Sequence, residues 1–265
     1  MWSDTNSVST KSFYKEESWL NNPINKNETA ETIAEILKDN PTLRLKKVIL
    51  LDLYWTLIWR PNSLWAIKKI LKRIWKVPYK TFYKIVQTNK KEKIKEQCKV
   101  SGYKISKAAR KLFSIHTKKE VNWASLYLET LDFLNKLKEQ WYKIGLISNI
   151  SEDFSKPLRD KIPDGIFDIE VLSYLEWVMK PELFEKLVNN PEIDIFNEYD
   201  IDDILMIWDS LKDDVNWAKN VWMSAILLDR NAKKMYYDKE KNLIIIHTLY
   251  DLLDILWINH LHSNY

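Results

Sequence analysis

Three short apolar runs, each followed closely by a polar functional side chain, constrain this chain most. They are Val48-Ile-Leu-Leu-Asp52, Lys143-Ile-Gly-Leu-Ile-Ser148, and Ile204-Leu-Met-Ile207 just ahead of Asp209. Apolar runs without alternation read as strands buried on both faces, the habit of parallel sheets. Helical patterns lie between them. Asn27–Lys38 reads as a short amphipathic helix with Asn27 as its cap. Residues 61–125 carry helical spacing (Leu64, Ile67, Ile70, Leu71, Ile74) and no convincing strand. Ala124–Gln140, Pro181–Asn189, Asp214–Asn220 and Leu249–Ile258 read as helices, and Phe167–Leu172, Ser224–Leu228 and Leu243–His247 as further strands. The alternation predicts an α/β fold with a parallel sheet and right-handed crossovers. In such sheets the site lies at the carboxyl ends of the strands, where Asp52, Ser148 and Asp209 all fall.

Composition excludes several classes. With 46% hydrophobic and 29% charged residues over 265 positions, the chain can bury a full core. No apolar run reaches the length of a membrane helix. Met1–Lys11 lacks the apolar stretch of a secretory signal, so a cytoplasmic protein is expected. The single Cys98 excludes an internal disulfide and a cysteine zinc cluster, and its place in a charged segment without a partner cysteine points to a structural or incidental role rather than a nucleophilic one. His116, His247, His260 and His262 show no metal-ligand spacing. The net charge of +4 hides an asymmetry: residues 60–119 hold 19 Lys or Arg against only Glu92 and Glu96. Such a segment is either a solvated helical surface or a field that draws in anions, whether phosphorylated metabolites or nucleic acid. Tyr79, Phe82, Tyr83 and Tyr103 lie among those lysines, as the core of small helices or as stacking partners for bases.

The strand ends carry the chemistry. Asp52 opens Asp52-Leu-Tyr-Trp-Thr-Leu57, and a carboxylate over a turn of backbone N–H groups can act as a nucleophile. Ser148-Asn149 can hydrogen-bond a group in transfer, and Lys180-Pro181 brings an ammonium that neutralises developing charge. Asp209-Ser-Leu-Lys-Asp-Asp214 clusters acids, the oxygen ligands that hard cations take.

In this order and spacing the segments Asp52-Leu-Tyr-Trp-Thr-Leu-Ile58, Leu146-Ile-Ser-Asn149, Lys180-Pro181 and Ile207-Trp-Asp-Ser-Leu-Lys-Asp-Asp214 resemble the four motifs of the haloacid dehalogenase (HAD) superfamily, over roughly residues 46–258. The resemblance implies a Rossmann-like core (residues 46–60 and 126–265), a helical cap (61–125) and an N-terminal extension (1–45) with no assigned role. It implies a hydrolase with Asp52 as nucleophile and Thr56, Ser148 and Lys180 as catalytic partners. Ser148, Asn149 and Lys180 would bind the transferred group, and Asp52, the Tyr54 carbonyl, Asp209 and Asp214 would hold Mg²⁺. Asp213 fits the motif register less well than Asp214. The substrate implied is a small phosphorylated molecule. One departure stands out. Family phosphatases place a second Asp two residues after the nucleophile, and here that position is Tyr54, a poor base at neutral pH. Tyr at this position is a feature of the dehalogenase branch, so cleavage of a carbon–halogen bond is one alternative; a module binding nucleic acid through its basic cap is another. Glu92 and Glu96 are candidates for the missing proton carrier.

Glycine is scarce and tryptophan abundant: 3 Gly against 13 Trp, where about 7% glycine is usual. Trp55, Trp141, Trp177, Trp208, Trp217 and Trp222 stand where the family pattern has glycine, and Trp75 where a helix would end on one. The codon UGA is read as glycine by some bacteria and as tryptophan in a common alternative code. Recoding of UGA in an AT-rich genome therefore predicts glycine at these positions of the natural protein.

Overall fold

The computed structural model describes residues 26–60, 79–103, 107–189, 198–210 and 223–262. Its centre is a sheet built from the expected apolar runs: β1 (Val48–Leu51), β4 (Lys143–Ser148), β5 (Ile169–Leu172), β6 (Ile204–Trp208), β7 (Ser224–Leu228), β8 (Tyr236–Asp238) and β9 (Leu243–Ile246). Their order is β5-β4-β1-β6-β7-β9-β8; all neighbouring pairs are parallel except β8 with β9. β1 lies between β4 and β6, with Leu51 level with Leu146 on one side and Ile207 on the other. Its side chains alternate between two apolar layers: Ile49 and Leu51 pack into one, Val48 and Leu50 into the other. Both faces are covered, which is why the run has no polar alternation. The result is a mostly parallel α/β sheet with flanking helices.

The helices are α1 (Lys26–Asp39), α2 (Tyr79–Gln87), α3 (Lys91–Val100), α4 (Lys107–Trp123), α5 (Thr130–Glu139), α6 (Lys156–Lys161), α7 (Ser173–Glu176), α8 (Glu182–Asn189) and α9 (Leu249–His262). Several expected boundaries move. Asn27 lies inside α1 rather than capping it. The helix expected over Ala124–Gln140 begins only at Thr130. Ahead of it, β3 (Ser125–Leu126) pairs antiparallel with β2 (Ile58–Trp59), and Leu128 is exposed, because cross-strand pairing with a distant segment overrides the local helical period. β8 has no counterpart among the expected strands. α9 continues to His262, past the expected end at Ile258. The expected helix Asp214–Asn220 and residues 61–78 of the basic segment lie outside the described residues.

Ile33, Ile36 and Leu37 of α1 are buried in the same apolar layer as β1 and α9, so the second half of the N-terminal segment contributes to the core. α2, α3 and α4 belong to the basic segment; α4 packs over the 3-10 turn Glu152–Ser155 beyond the end of β4, and α2 approaches α7. The described helices between β2 and β3 therefore cover the carboxyl edge of the sheet. Cys98 is buried in α3, where burial pushes its thiol up to about 11. A thiol so protonated is no nucleophile at neutral pH. Among the described residues no helix is long and apolar enough to cross a membrane.

Candidate active site

β1 delivers Asp52 to the carboxyl edge of the sheet, and the Asp52 N–H donates to the Ile207 carbonyl at 3.2 Å, a last rung of the β1–β6 ladder. Lys180 Nζ donates to Asp52 Oδ2 at 2.9 Å. The other oxygen, Oδ1, accepts the Leu53 N–H at 2.7 Å. Both side chains are largely shielded, 5% exposed for Lys180 and 15% for Asp52. The pair is thus a compact ammonium–carboxylate contact at the edge where a parallel sheet places its site. Lys180 is held through its own backbone: its N–H donates to Asn149 Oδ1 at 2.8 Å. Asn149, expected to bind substrate, has its amide oxygen engaged in joining the second and third segments. The Lys180 ammonium also lies 5.7 Å from the centre of the Trp208 ring.

Ser148 is buried at the end of β4, beside β1. Thr56 is fully buried, and its hydroxyl has no hydrogen-bond partner among the described residues. A buried hydroxyl left in that state is costly unless a ligand or water takes it up. Asp209 follows β6 and lines a cavity of about 290 Å³ together with Trp55, Trp59, Tyr127, Asp229 and Arg230. Asp214 lies outside the described residues.

Tyr54 departs from the role of a proton carrier. Its hydroxyl donates to the Phe154 carbonyl at 2.7 Å. Its ring meets Phe154 edge-on at 6.0 Å, and the Arg60 guanidinium sits 4.6 Å over it. Burial pushes the phenol well above its ordinary value, against the opposing pull of Arg60. The side chain is therefore a neutral fixed donor. The candidate proton carrier Glu96 is exposed on α3, and the side chain of Glu92 lies outside the described residues. The buried carboxyl near Tyr54 is instead Glu120 of α4. Neither of its oxygens has a hydrogen-bond partner among the described residues, and burial raises it above the usual carboxylate range, against the Arg60 charge.

The metal expectation has partial support in the donor set. Asp52 and Asp209 close neighbouring strands, so two carboxylates share one edge, the hard-oxygen chemistry that Mg²⁺ takes. No group of three His, Cys, Asp or Glu is assembled among the described residues, and the third expected acid, Asp214, is not among them.

The sequence reading missed Arg230. Its Nε donates to the Trp55 carbonyl at 3.1 Å and one terminal nitrogen to the Thr56 carbonyl at 2.6 Å. The other terminal nitrogen meets Glu129 at 2.7 Å, and the guanidinium carbon lies 3.3 Å from the centre of the Tyr127 ring. The signal was present: Arg230 follows Leu227-Leu228-Asp229, directly after a strand.

No protein-family model and no curated protein matches the sequence. Solved structures do. A predicted phosphoglycolate phosphatase from Haemophilus somnus is similar at 19% identity and TM-score 0.51, over 80% of this chain and 98% of that one. A 2-haloacid dehalogenase from Pseudomonas syringae is similar at 18% and 0.51, over 80% and 99%. A HAD-family enzyme from Bacteroides thetaiotaomicron, solved with magnesium and inorganic phosphate, is similar at 18% and 0.50, over 71% and 96%. At such identities the likeness establishes architecture: this chain has the fold of the HAD-family hydrolases.

Proposed function

We propose that the chain is a Mg²⁺-dependent phosphatase of small phosphorylated molecules, working through an aspartyl-phosphate at Asp52. The observation that carries this reading is the shielded Asp52–Lys180 pair at the end of β1, with Ser148 closing the neighbouring strand. An Asp52 carboxylate oxygen attacks phosphorus, and the bond from phosphorus to the leaving oxygen breaks. Lys180 offsets the negative charge that gathers on the phosphoryl oxygens, and Ser148 orients them. Water then attacks the same phosphorus, releasing inorganic phosphate and regenerating the Asp52 carboxylate. Asp52, Asp209, the Tyr54 carbonyl and Asp214 would hold Mg²⁺, which when bound neutralises phosphoryl charge. Tyr54 keeps its proton, so the leaving oxygen takes one from water, and substrates with acidic leaving groups, such as aryl phosphates, turn over best.

The test is turnover of an aryl phosphate by the full chain carrying glycine at positions 55, 177 and 208. Turnover that requires Mg²⁺ and is lost in Asp52→Asn is the expected result. Chloride release from a 2-chloroacid without metal would support the dehalogenase alternative. Salt-sensitive binding to nucleic acid without any turnover would support the nucleic-acid alternative.

A further inference from the structure

The turn after Asp52 is held from outside by groups distant in sequence. The Leu57 carbonyl accepts the Tyr127 N–H at 3.1 Å and the Thr130 hydroxyl at 2.9 Å. The Trp55 and Thr56 carbonyls accept from Arg230. Three successive carbonyls are thereby tied to the start of α5 with the residues just ahead of it, and to the loop after β7. Arg230 is itself fixed. Asp229 shapes its loop by accepting the Asn231 N–H on Oδ1 and the Ala232 N–H on its carbonyl, both at 2.9 Å. Glu129 and the Tyr127 ring occupy the rest of the guanidinium. A planar fork bound on two carbonyls, one carboxylate and one ring face has little freedom, and a lysine cannot reproduce it.

We propose that Arg230 is a positioning residue for the nucleophile turn. By fixing the carbonyls of residues 55 and 56 it sets the backbone that presents Asp52 and the Tyr54 carbonyl, and so acts on the rate of phosphoryl transfer rather than on substrate binding. The catalytic half of this proposal rests on the phosphatase reading; the positioning half does not. Two measurements on the full chain separate them. The first is amide hydrogen exchange of residues 52–58 in Arg230→Lys and Arg230→Ala. Exchange there is expected to speed up about tenfold or more, with β4 unchanged. Unchanged exchange in 52–58 overturns the proposal. The second is steady-state kinetics with an aryl phosphate. Both variants are expected to lose about 10- to 100-fold in kcat with KM nearly unchanged, and added guanidinium ion is expected to restore part of the kcat of Arg230→Ala. A loss confined to thermal stability, or a rise in KM alone, overturns the catalytic half. A parent protein that turns over no phosphate ester, yet shows the expected exchange pattern, overturns the phosphatase reading and the catalytic half while upholding the positioning role.

A different observation carries a second inference. Among the described residues, the non-glycine positions with left-handed backbone are Trp55 (φ 67°), Trp141 (φ 63°), Trp177 (φ 65°) and Asn242 (φ 48°). Asparagine tolerates that region; a bulky aromatic there is an outlier. The two glycines with positive φ, Gly102 and Gly165, stand at 81° and 80°. Trp141 closes α5 with two hydrogen bonds, from its own N–H to Lys138 and from Tyr142 N–H to Leu137. Gly102 closes α3 with the same pair, to Lys99 and from Tyr103 to Cys98. This is the helix ending that selects glycine. Trp141 is 91% exposed, so no packing offsets the strain.

We infer that positions 55, 141 and 177 are glycine in the natural protein. Trp208 lies in β6 and its backbone makes no such demand; glycine there rests on the sequence pattern alone. Peptide sequencing by mass spectrometry of the protein made by its own organism decides the matter. Glycine in the tryptic peptide spanning Glu139–Lys143 is the expected result, and tryptophan in that peptide overturns the inference.

Discussion

Trp141 shows how one residue can contradict its own backbone. A left-handed L-residue costs about 1–2 kcal/mol, and this exposed indole gains no burial in return. Trp141→Gly is therefore expected to raise the melting temperature by about 2–6 °C, read by calorimetry. Tyr54 poses the opposite case, a residue whose chemistry is removed by its surroundings. Tyr54→Phe deletes the bond to Phe154 and is expected to cost about 1 kcal/mol of stability while leaving the pH profile of turnover in place. A profile that loses its basic limb in Tyr54→Phe would show that the phenol titrates in the reaction. The residue scale also holds a plain steric constraint. A Cβ on Gly145 of β4 would meet Leu50 Cδ2 at 2.4 Å, so Gly145→Ala is expected to destabilise by about 1–3 kcal/mol in urea titration.

At the scale of elements, the start of α9 couples a helix cap to a titrating group. Asp251 Oδ2 accepts the His247 and Thr248 N–H groups, and the Thr248 hydroxyl in turn accepts the Asp251 N–H. His247 Nδ1 lies 2.6 Å from the same carboxylate oxygen. That hydrogen bond to Asp251 raises the imidazole above its ordinary value, against desolvation. A group raised on folding stabilises fully below its unfolded value near 6.5, and the contribution is lost as pH rises through the higher folded value. His247→Asn is thus expected to lose more stability at pH 5.5 than at pH 8.5, measured as the difference in denaturation midpoint. An equal loss at both would show that the ring contributes by packing alone. The elements that sequence patterns misplaced are short and paired at a distance. β2 and β3 have two residues each, too few for a period, and their partners lie far apart in the chain.

At the scale of the whole molecule, charge is segregated along the chain, and the described part of the basic segment lies against the carboxyl edge of the sheet. On the phosphatase reading, a field of that kind would draw anionic substrate toward the site, and it would be screened as the Debye length falls from about 10 Å at 0.1 M salt to about 3 Å at 1 M. KM for a doubly charged phosphate ester is therefore expected to rise with salt while kcat holds. A KM insensitive to salt would assign the lysines to a solvated surface.

The sequence by itself determined the sheet and the order in which the candidate residues stand along it. Continuous apolar runs specify strands buried on both faces; Asp52, Ser148 and Asp209 follow from their ends, and Lys180 precedes a helix. Its resemblance to a family pattern also marked Trp55, Trp141, Trp177, Trp208, Trp217 and Trp222 as glycine positions, and of these the described backbone is left-handed at the first three. Tertiary structure alone decided what meets across the chain: the Lys180–Asp52 pair, the Asn149 tie, the Tyr54–Phe154 hydrogen bond, the Arg230 fork on the nucleophile turn and the burial of α1. These contacts join residues about 30 to 175 positions apart, or elements far apart in order, and no local periodicity encodes such a distance. They exist only once the crossovers have stacked β1, β4, β6 and β7 into one sheet.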